Sequence, residues 1–165
     1  MFSQNTKLLL AFLRDHNTAR SVLDVFNDLY AMFGREIYCR LFPVILTDRG
    51  SEFSNPVPIE QDENDELRSL VFYCNPSAPY QKGGIEVAHE LVRRVLPKGK
   101  SFDDLQQEDI DLMLSHINSY KRGKLNSRSA YQLFNFIYGD DILPKLNIRE
   151  IEANDIVLSP KLLKK

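Results

Sequence analysis

The chain of 165 residues has no tryptophan, only two cysteines and only three histidines. Cys39 and Cys74 lie far apart and belong to no Cys-x-x-Cys pair, so the sequence predicts neither a disulfide framework nor a zinc site. Its longest apolar run, from Leu8 to Leu13, is too short to span a bilayer, and no signal peptide or repeat is present. We therefore expect a cytoplasmic protein.

The chain also lacks an excess of positive charge, because 21 Lys and Arg residues face 23 Asp and Glu residues. That balance is unusual for an isolated nucleic-acid module. The acidic residues concentrate in a stretch that we expect to be a solvated loop, namely Glu60, Asp62, Glu63, Asp65 and Glu66. The basic residues gather around one predicted helix, at Lys82, Arg93, Arg94, Lys98 and Lys100. They predict either a local phosphate-binding surface or an ordinary solvated helix face.

The order of predicted elements is typical of an α/β fold. Strands are predicted at 7–14, 43–47 and 69–74, and helices at 18–33, 35–41 and 84–96. A further helix is predicted from Asp109 to about Arg122, and Ser129 is expected to cap another from Ala130 to Tyr138. These last two would form a helical C-terminal segment.

Two acidic residues stand where carboxylates could converge on a divalent metal ion. Asp48 follows the apolar run Val44 to Leu46, which predicts a buried strand, and ligand sites collect at the carboxyl ends of such strands. Glu86 opens the helix predicted at 84–96. The pair suggests phosphoryl transfer on nucleic acid. The alternative is that Glu86 belongs to a solvated, salt-bridged helix face with Glu90, Arg93 and Arg94.

Several signatures follow one another along the chain: Thr47–Phe53, Phe72–Pro76, Ala78–Gly83 with Glu86, Arg93–Gly99 and Leu114–Asn118. In this order they resemble bacterial insertion-sequence transposases of the IS-thirty type, over roughly residues 8–136. The resemblance implies an integrase catalytic core of the ribonuclease-H-like fold, expected here to lack its first two strands. It also implies a partial core at 1–138 and a C-terminal tail at 139–165.

The resemblance implies that Asp48 and Glu86 are the second and third members of an Asp-Asp-Glu triad. Such a triad binds Mg²⁺ or Mn²⁺ and cleaves and transfers DNA strands. The first aspartate would lie on a strand that we expect to be missing here. We interpret three other carboxylates as capping or solvated charges that do not replace it: Asp15, Asp24 and Asp28. Two carboxylates would hold one metal ion weakly, so we expect this chain alone neither to cleave nor to transfer DNA strands.

The same resemblance implies DNA, at transposon ends and target, as the partner. The candidate contacts are Tyr80, Gln81, Lys82, His89, Arg93, Arg94 and Lys98. Tyr80 would either stack on an unpaired base or pack beneath its loop. We also expect the chain to associate with itself or with an intact transposase through an exposed sheet edge. The alternatives are a non-catalytic DNA-binding or assembly-modulating fragment and an unrelated α/β binding module.

Overall fold

The computed structural model describes residues 1–75 and 84–163, which form two compact units. The first unit comprises the described residues of Met1–Leu13 and Gly83–Lys165, and the second comprises those of Arg14–Lys82. Helices and a small two-stranded parallel sheet make up the regular structure, which is compatible with the predicted α/β class. No helix in the described part of the chain is long and apolar enough to cross a membrane.

The second unit begins with helix α1, Ala19–Leu41. The Thr18 hydroxyl accepts a hydrogen bond from the Ser21 N–H at 3.2 Å and thereby caps the first turn. Gly34 interrupts the helix with φ 72° and ψ 165°, a conformation that glycine adopts without steric cost. The two helices predicted at 18–33 and 35–41 are therefore confirmed on either side of this kink.

The sheet of the second unit pairs β1, Val44–Thr47, with β2, Leu70–Tyr73, in parallel. The short helix α2, Val57–Glu60, lies between the two strands in the sequence. Both predicted strands are confirmed, but the prediction that the first is buried is wrong. Val44 is 56% and Leu46 43% exposed, and their partners Leu70 and Phe72 are 41% and 52% exposed on the same face. Alternate residues point to opposite faces of a strand, and this sheet buries chiefly the face that carries Thr47. A continuous apolar run had suggested burial on both faces.

The acidic stretch of the second unit is only partly the solvated loop that we predicted. Glu63, Asp65 and Glu66 are exposed. The Asp62 side chain, however, is 5% exposed, and its Oδ2 accepts hydrogen bonds from the Tyr30 hydroxyl at 2.7 Å and from Arg35 Nη1 at 3.0 Å. The hydrogen bond from Tyr30 is the chief cause that holds the pKa of the Asp62 carboxyl below its ordinary value. Asp62 is therefore a structural residue.

The first unit is built around α3 (Ile85–Val95), α4 (Gln107–Ser119), α5 (Ala130–Tyr138) and α6 (Ile142–Lys145). The helices predicted at 84–96 and from Ala130 are confirmed, and the Ser129 hydroxyl accepts the Gln132 N–H as predicted. α4 ends at Ser119 rather than Arg122, because Tyr120 is in an extended conformation with ψ 118°. The domain boundary at residue 138 stays a prediction. The residues beyond it are packed, since Ile142, Leu143 and Ile148 are buried.

The regular strand predicted at 7–14 does not form. Leu9 makes only an isolated antiparallel bridge with Phe2, and its N–H and C=O bond to the side-chain amide of Asn118 at 2.9 and 2.8 Å. The Gln107 amide, on the same helix, accepts the Leu13 N–H at 2.9 Å and donates to the Ala11 carbonyl at 3.2 Å. Side chains of α4 thus take the place of a neighbouring strand.

Candidate functional site

Asp48 is exposed directly after β1, at the carboxyl end of the strand. Its Oδ1 accepts a hydrogen bond from the Gly50 N–H at 3.3 Å. The φ of Gly50, −61°, is available to any residue, so the backbone conformation does not require a glycine here. A Cβ at Gly50 would instead come within 2.6 Å of the Glu52 carboxylate. The glycine therefore allows a second carboxylate to lie against the same turn as Asp48.

Glu86 lies in the first turn of α3, where the positive end of the helix dipole favours a carboxylate. Gly84 precedes the helix with φ 93°, and a Cβ there would approach the Phe2 ring to 3.1 Å. One side of α3 is buried through Ala88, Leu91 and Val95. The opposite side lines an open depression of about 670 Å³ with Glu86, His89, Glu90, Arg93 and Arg94. The charged side chains of α3 therefore share one face, an arrangement compatible both with a metal ligand at Glu86 and with a solvated helix face.

The remaining predicted DNA contacts are not among the described residues that line the depression on α3. Lys98 is exposed after the end of α3. Tyr80, Gln81 and Lys82 lie outside the described residues. The DNA-binding roles assigned to all of these side chains stay predictions.

The described residues do not by themselves fit a complete metal site. Asp48 and Glu86 belong to different compact units. Across residues 1–75 and 84–163, no group of three or more His, Cys, Asp or Glu side chains is arranged to hold a metal ion. Asp15 and Asp28 are exposed, and Asp24 pairs with Arg20 at 3.0 Å, consistent with their interpretation as solvated charges.

The segment Leu114–Asn118 in α4 has a role that its sequence did not reveal. The Ser115 hydroxyl accepts the Arg149 N–H, and His116 Nδ1 accepts the Val157 N–H, each at 3.1 Å. Both side chains are buried, as is Asn118 with its two bonds to Leu9. These polar side chains tie main-chain segments to α4. Polar residues next to the apolar Leu114 and Ile117 were the available signal, because buried polar groups are normally hydrogen-bonded.

The buried His116 is expected to make the first unit sensitive to acid. Burial, with repulsion from Arg149 as the lesser cause, lowers the pKa of His116 below its ordinary value. The His116 imidazole therefore binds a proton more readily in the unfolded chain than in the folded one. The contribution of neutral His116 to the free energy of unfolding is complete above about pH 6.5, and it is lost as the pH falls toward the lowered pKa of the folded state. A protonated Nδ1 also cannot accept the Val157 N–H.

We expect urea unfolding to show a greater loss of stability between pH 7.5 and 5.5 in the unsubstituted chain than in His116→Asn. An asparagine amide keeps an acceptor near the position of Nδ1 but does not titrate. Equal losses in the two proteins would show that His116 does not govern the acid response. A His89→Asn variant is the matched control, because His89 is exposed.

Comparison with known proteins gave relatives of one kind. The chain is 29% identical over 137 residues to "Putative integrase ORF3" of Spiroplasma virus SpV1-R8A2 B, a match that covers 81% of this chain and 39% of that protein. It is 35% identical over 63 residues to the transposase for insertion sequence element IS1086 of Cupriavidus metallidurans, covering 38% of this chain and 19% of the transposase. It is 27% identical over 63 residues to transposase InsI for insertion sequence element IS30A of Escherichia coli, covering 38% of this chain and 16% of that transposase.

The chain thus spans about two fifths of the viral protein and less than a fifth of either transposase. No family model and no solved structure matches it.

Proposed function

Because this chain is a relative of integrases and insertion-sequence transposases, including those of the IS30 type, we propose that it forms part of a DNA strand-transfer core. The proposed core has the ribonuclease-H-like fold, and Asp48 and Glu86 are two of its catalytic carboxylates. The observation that carries the proposal is the polar side of α3, where Glu86 stands in one depression with His89, Arg93 and Arg94. A carboxylate beside cations suits a site that handles both metal ions and phosphates.

The proposed cofactor is Mg²⁺ or Mn²⁺, held by carboxylate oxygens. Mg²⁺ requires nearly octahedral oxygen ligation, so two carboxylates leave most positions to water. We propose that Asp48 and Glu86 need at least one further carboxylate to fix the ions, and that the chain alone binds metal weakly and does not cleave DNA.

The proposed DNA contacts extend along the same side of α3. Arg93 and Arg94 lie in its last turn, and both are exposed. Guanidinium groups bind phosphate oxygens in a bidentate manner, and such contacts position a duplex without reading its sequence. Lys98 and His89 extend the basic surface, and the proposal includes Tyr80, Gln81 and Lys82, which lie outside the described residues.

The proposal is tested by Mn²⁺ titration of the full chain, with Glu86→Gln compared with Glu90→Gln. Both glutamates line the depression on α3, so the second is a matched control. We expect Glu86→Gln, and also Asp48→Asn, to weaken Mn²⁺ binding by at least about tenfold, since even an outer-shell partner of a metal site can contribute that much. Glu90→Gln should leave it unchanged.

A nicking assay on a labelled DNA end completes the test, and we expect no cleavage by the chain alone. Cleavage that Glu86→Gln abolishes would mean that another residue completes the triad. Equal weakening of Mn²⁺ binding by Glu86→Gln and Glu90→Gln would contradict the assignment of Glu86 as a specific ligand.

The second candidate is a non-catalytic fragment that binds DNA or modulates assembly by pairing with an intact transposase. The apolar sheet face formed by Val44, Leu46, Leu70 and Phe72 favours it, because exposed apolar patches mark association sites. The metal titration separates the two candidates. A chain that binds DNA but shows no Mn²⁺ site dependent on Asp48 or Glu86 would support the second.

A further inference from the structure

A basic hairpin connects α4 to α5. Residues 121–128 carry four cations and no acidic residue, namely Lys121, Arg122, Lys124 and Arg128. Arg122 and Arg128 form an antiparallel bridge, with the Arg122 N–H donating to the Arg128 carbonyl at 3.1 Å. Asn126 and Ser127 both have positive φ, 52° and 61°, and close the turn. The backbone of this hairpin is therefore held by its own hydrogen bonds.

Among the described side chains of the hairpin, those of Lys121, Arg122 and Arg128 have no carboxylate partner. The ion pairs of Arg20 and Arg35 lie in the other unit. Four positive charges in a short acid-free segment repel one another, and an anion would relieve that repulsion. The hairpin therefore differs from the acidic stretch of the second unit, where Arg35 pairs with Asp62 and Glu66.

Arg122 is the most informative of these cations. Its Nε and Nη2 atoms are buried and have no hydrogen-bond acceptor in the described part of the chain. Burial also lowers the pKa of its guanidinium group. A buried donor without an acceptor costs free energy, more so when it is charged. These two atoms have almost no accessible surface, but Arg122 as a whole is half-buried, so an anion outside the chain would satisfy the donors once the guanidinium turns outward.

An exposed aromatic side chain lies beside the hairpin. Phe136 of α5 is 81% exposed, and the Arg128 guanidinium stands over its ring at 5.9 Å from the centroid. Proteins that bind single-stranded nucleic acid combine a positive surface for the backbone with aromatic rings on which bases stack. The neighbouring Ile137, 49% exposed, widens the apolar surface around the ring.

We propose that the hairpin and Phe136 form a second DNA-contacting surface, in which Arg122 binds a backbone phosphate and Phe136 stacks on an unpaired base. The choice of DNA as the anion rests on the proposed function, whereas the unsatisfied Arg122 and the exposed ring do not. This surface uses none of the residues on α3. It would hold a frayed or single-stranded DNA end outside the metal site.

Arg122→Leu tests the phosphate contact by fluorescence anisotropy on a labelled duplex. We expect about tenfold weaker binding and a decrease of about 1 in the slope of log K against log salt concentration, as loss of one phosphate contact predicts. The melting temperature should stay the same or rise, because an unpaired buried cation is removed. Arg20→Leu is the control, since it removes the same charge from an exposed site in the other unit.

Phe136→Ala tests the stacking contact, with a duplex that has a single-stranded overhang compared with a blunt duplex. We expect about tenfold weaker binding of the overhang substrate and little change for the blunt one, because stacking needs an unpaired base. Phe102→Ala is the matched control, since Phe102 is another exposed phenylalanine, at 51%.

The outcomes separate this proposal from the proposed function. Unchanged affinity and salt slope in Arg122→Leu, together with an unchanged preference in Phe136→Ala, would overturn the hairpin proposal. An unsubstituted chain that does not bind DNA would also overturn it. If Arg122→Leu does not fold, the result for Phe136→Ala alone tests the hairpin proposal, because the exposed Phe136 side chain can be removed without disturbing the core. A hairpin effect without any effect of Glu86→Gln on Mn²⁺ binding would reject the metal site and retain the hairpin.

Discussion

Replacing Asn118 with alanine is expected to lower the free energy of unfolding by about 3 kcal/mol, because two buried main-chain groups lose their partners at once. The Asn118 side chain is 0% exposed and bonds to both the N–H and the C=O of Leu9, which is itself 5% exposed. Water cannot readily replace the amide at this depth. Urea unfolding, followed by hydrogen exchange at the Leu9 amide, measures the effect.

Gln107→Ala is the matched control for Asn118→Ala. Gln107 makes the same kind of paired bonds, to the main chain of Ala11 and Leu13, but it is only half-buried. Water can reach the freed groups there, so we expect a loss of about 1 kcal/mol, the net worth of an ordinary hydrogen bond. Equal losses in the two variants would show that burial does not set the importance of Asn118.

These amides also explain why the strand prediction at 7–14 failed. The apolar run does place Leu8, Leu9 and Leu10 in the core, as a buried strand would. The sequence pattern reports burial, but it does not report which groups complete the main-chain hydrogen bonds. Here a helix supplies them, through side chains whose partners lie about a hundred positions away in the sequence. Local periodicity contains no information about such distant pairs.

The helices were more predictable than the sheet because their signals are local. Thr18 and Ser129 each cap a helix that begins at the next residue, and Gly34 separates the two predicted parts of α1. Which face of β1 is buried could not be predicted from local signals. An apolar strand residue is buried only if another element covers its face, and that depends on tertiary packing.

The candidate site was likewise predictable only where its sequence signal is local. The periodicity of α3 places its charged residues together on one side, and the structure agrees. Whether Asp48 and Glu86 share a metal ion depends on how distant segments meet, so their pairing stays a proposal. Arg122 escaped notice because a sequence shows a cation without showing whether an acceptor is near it. Its unsatisfied donors appear only in three dimensions.

Replacing Arg68 with methionine is expected to destabilise the second unit by about 3 kcal/mol, since charge-assisted hydrogen bonds contribute more than neutral ones. Arg68 is 4% exposed and donates from Nε to the Ile59 carbonyl at 3.0 Å. Its Nη2 donates to the Pro58 carbonyl and to Asn27 Oδ1, each at 2.8 Å. It thereby ties the end of the short helix Val57–Glu60 to α1.

Methionine keeps much of the apolar stem of Arg68 but leaves three acceptors without a donor. The rings of Tyr30 and Tyr38, 5.1 and 5.6 Å from the guanidinium carbon, would also lose a cation–π contact. Arg68→Lys should recover only part of the stability, because one ammonium group cannot reproduce the planar fork of a guanidinium. That partial rescue would distinguish the contribution of the hydrogen bonds to stability from the contribution of the side-chain volume.

Hydrogen exchange resolved along the chain is the measurement for Arg68, because it reports each compact unit separately. We expect faster exchange in residues 57–71 and in α1 for Arg68→Met, with no change in α4. Arg20→Met provides the contrast, since the Arg20 side chain is 83% exposed and its ion pair with Asp24 should contribute little. Faster exchange throughout both units would instead mean that they unfold as one cooperative structure, and that Arg68 stabilises the whole chain.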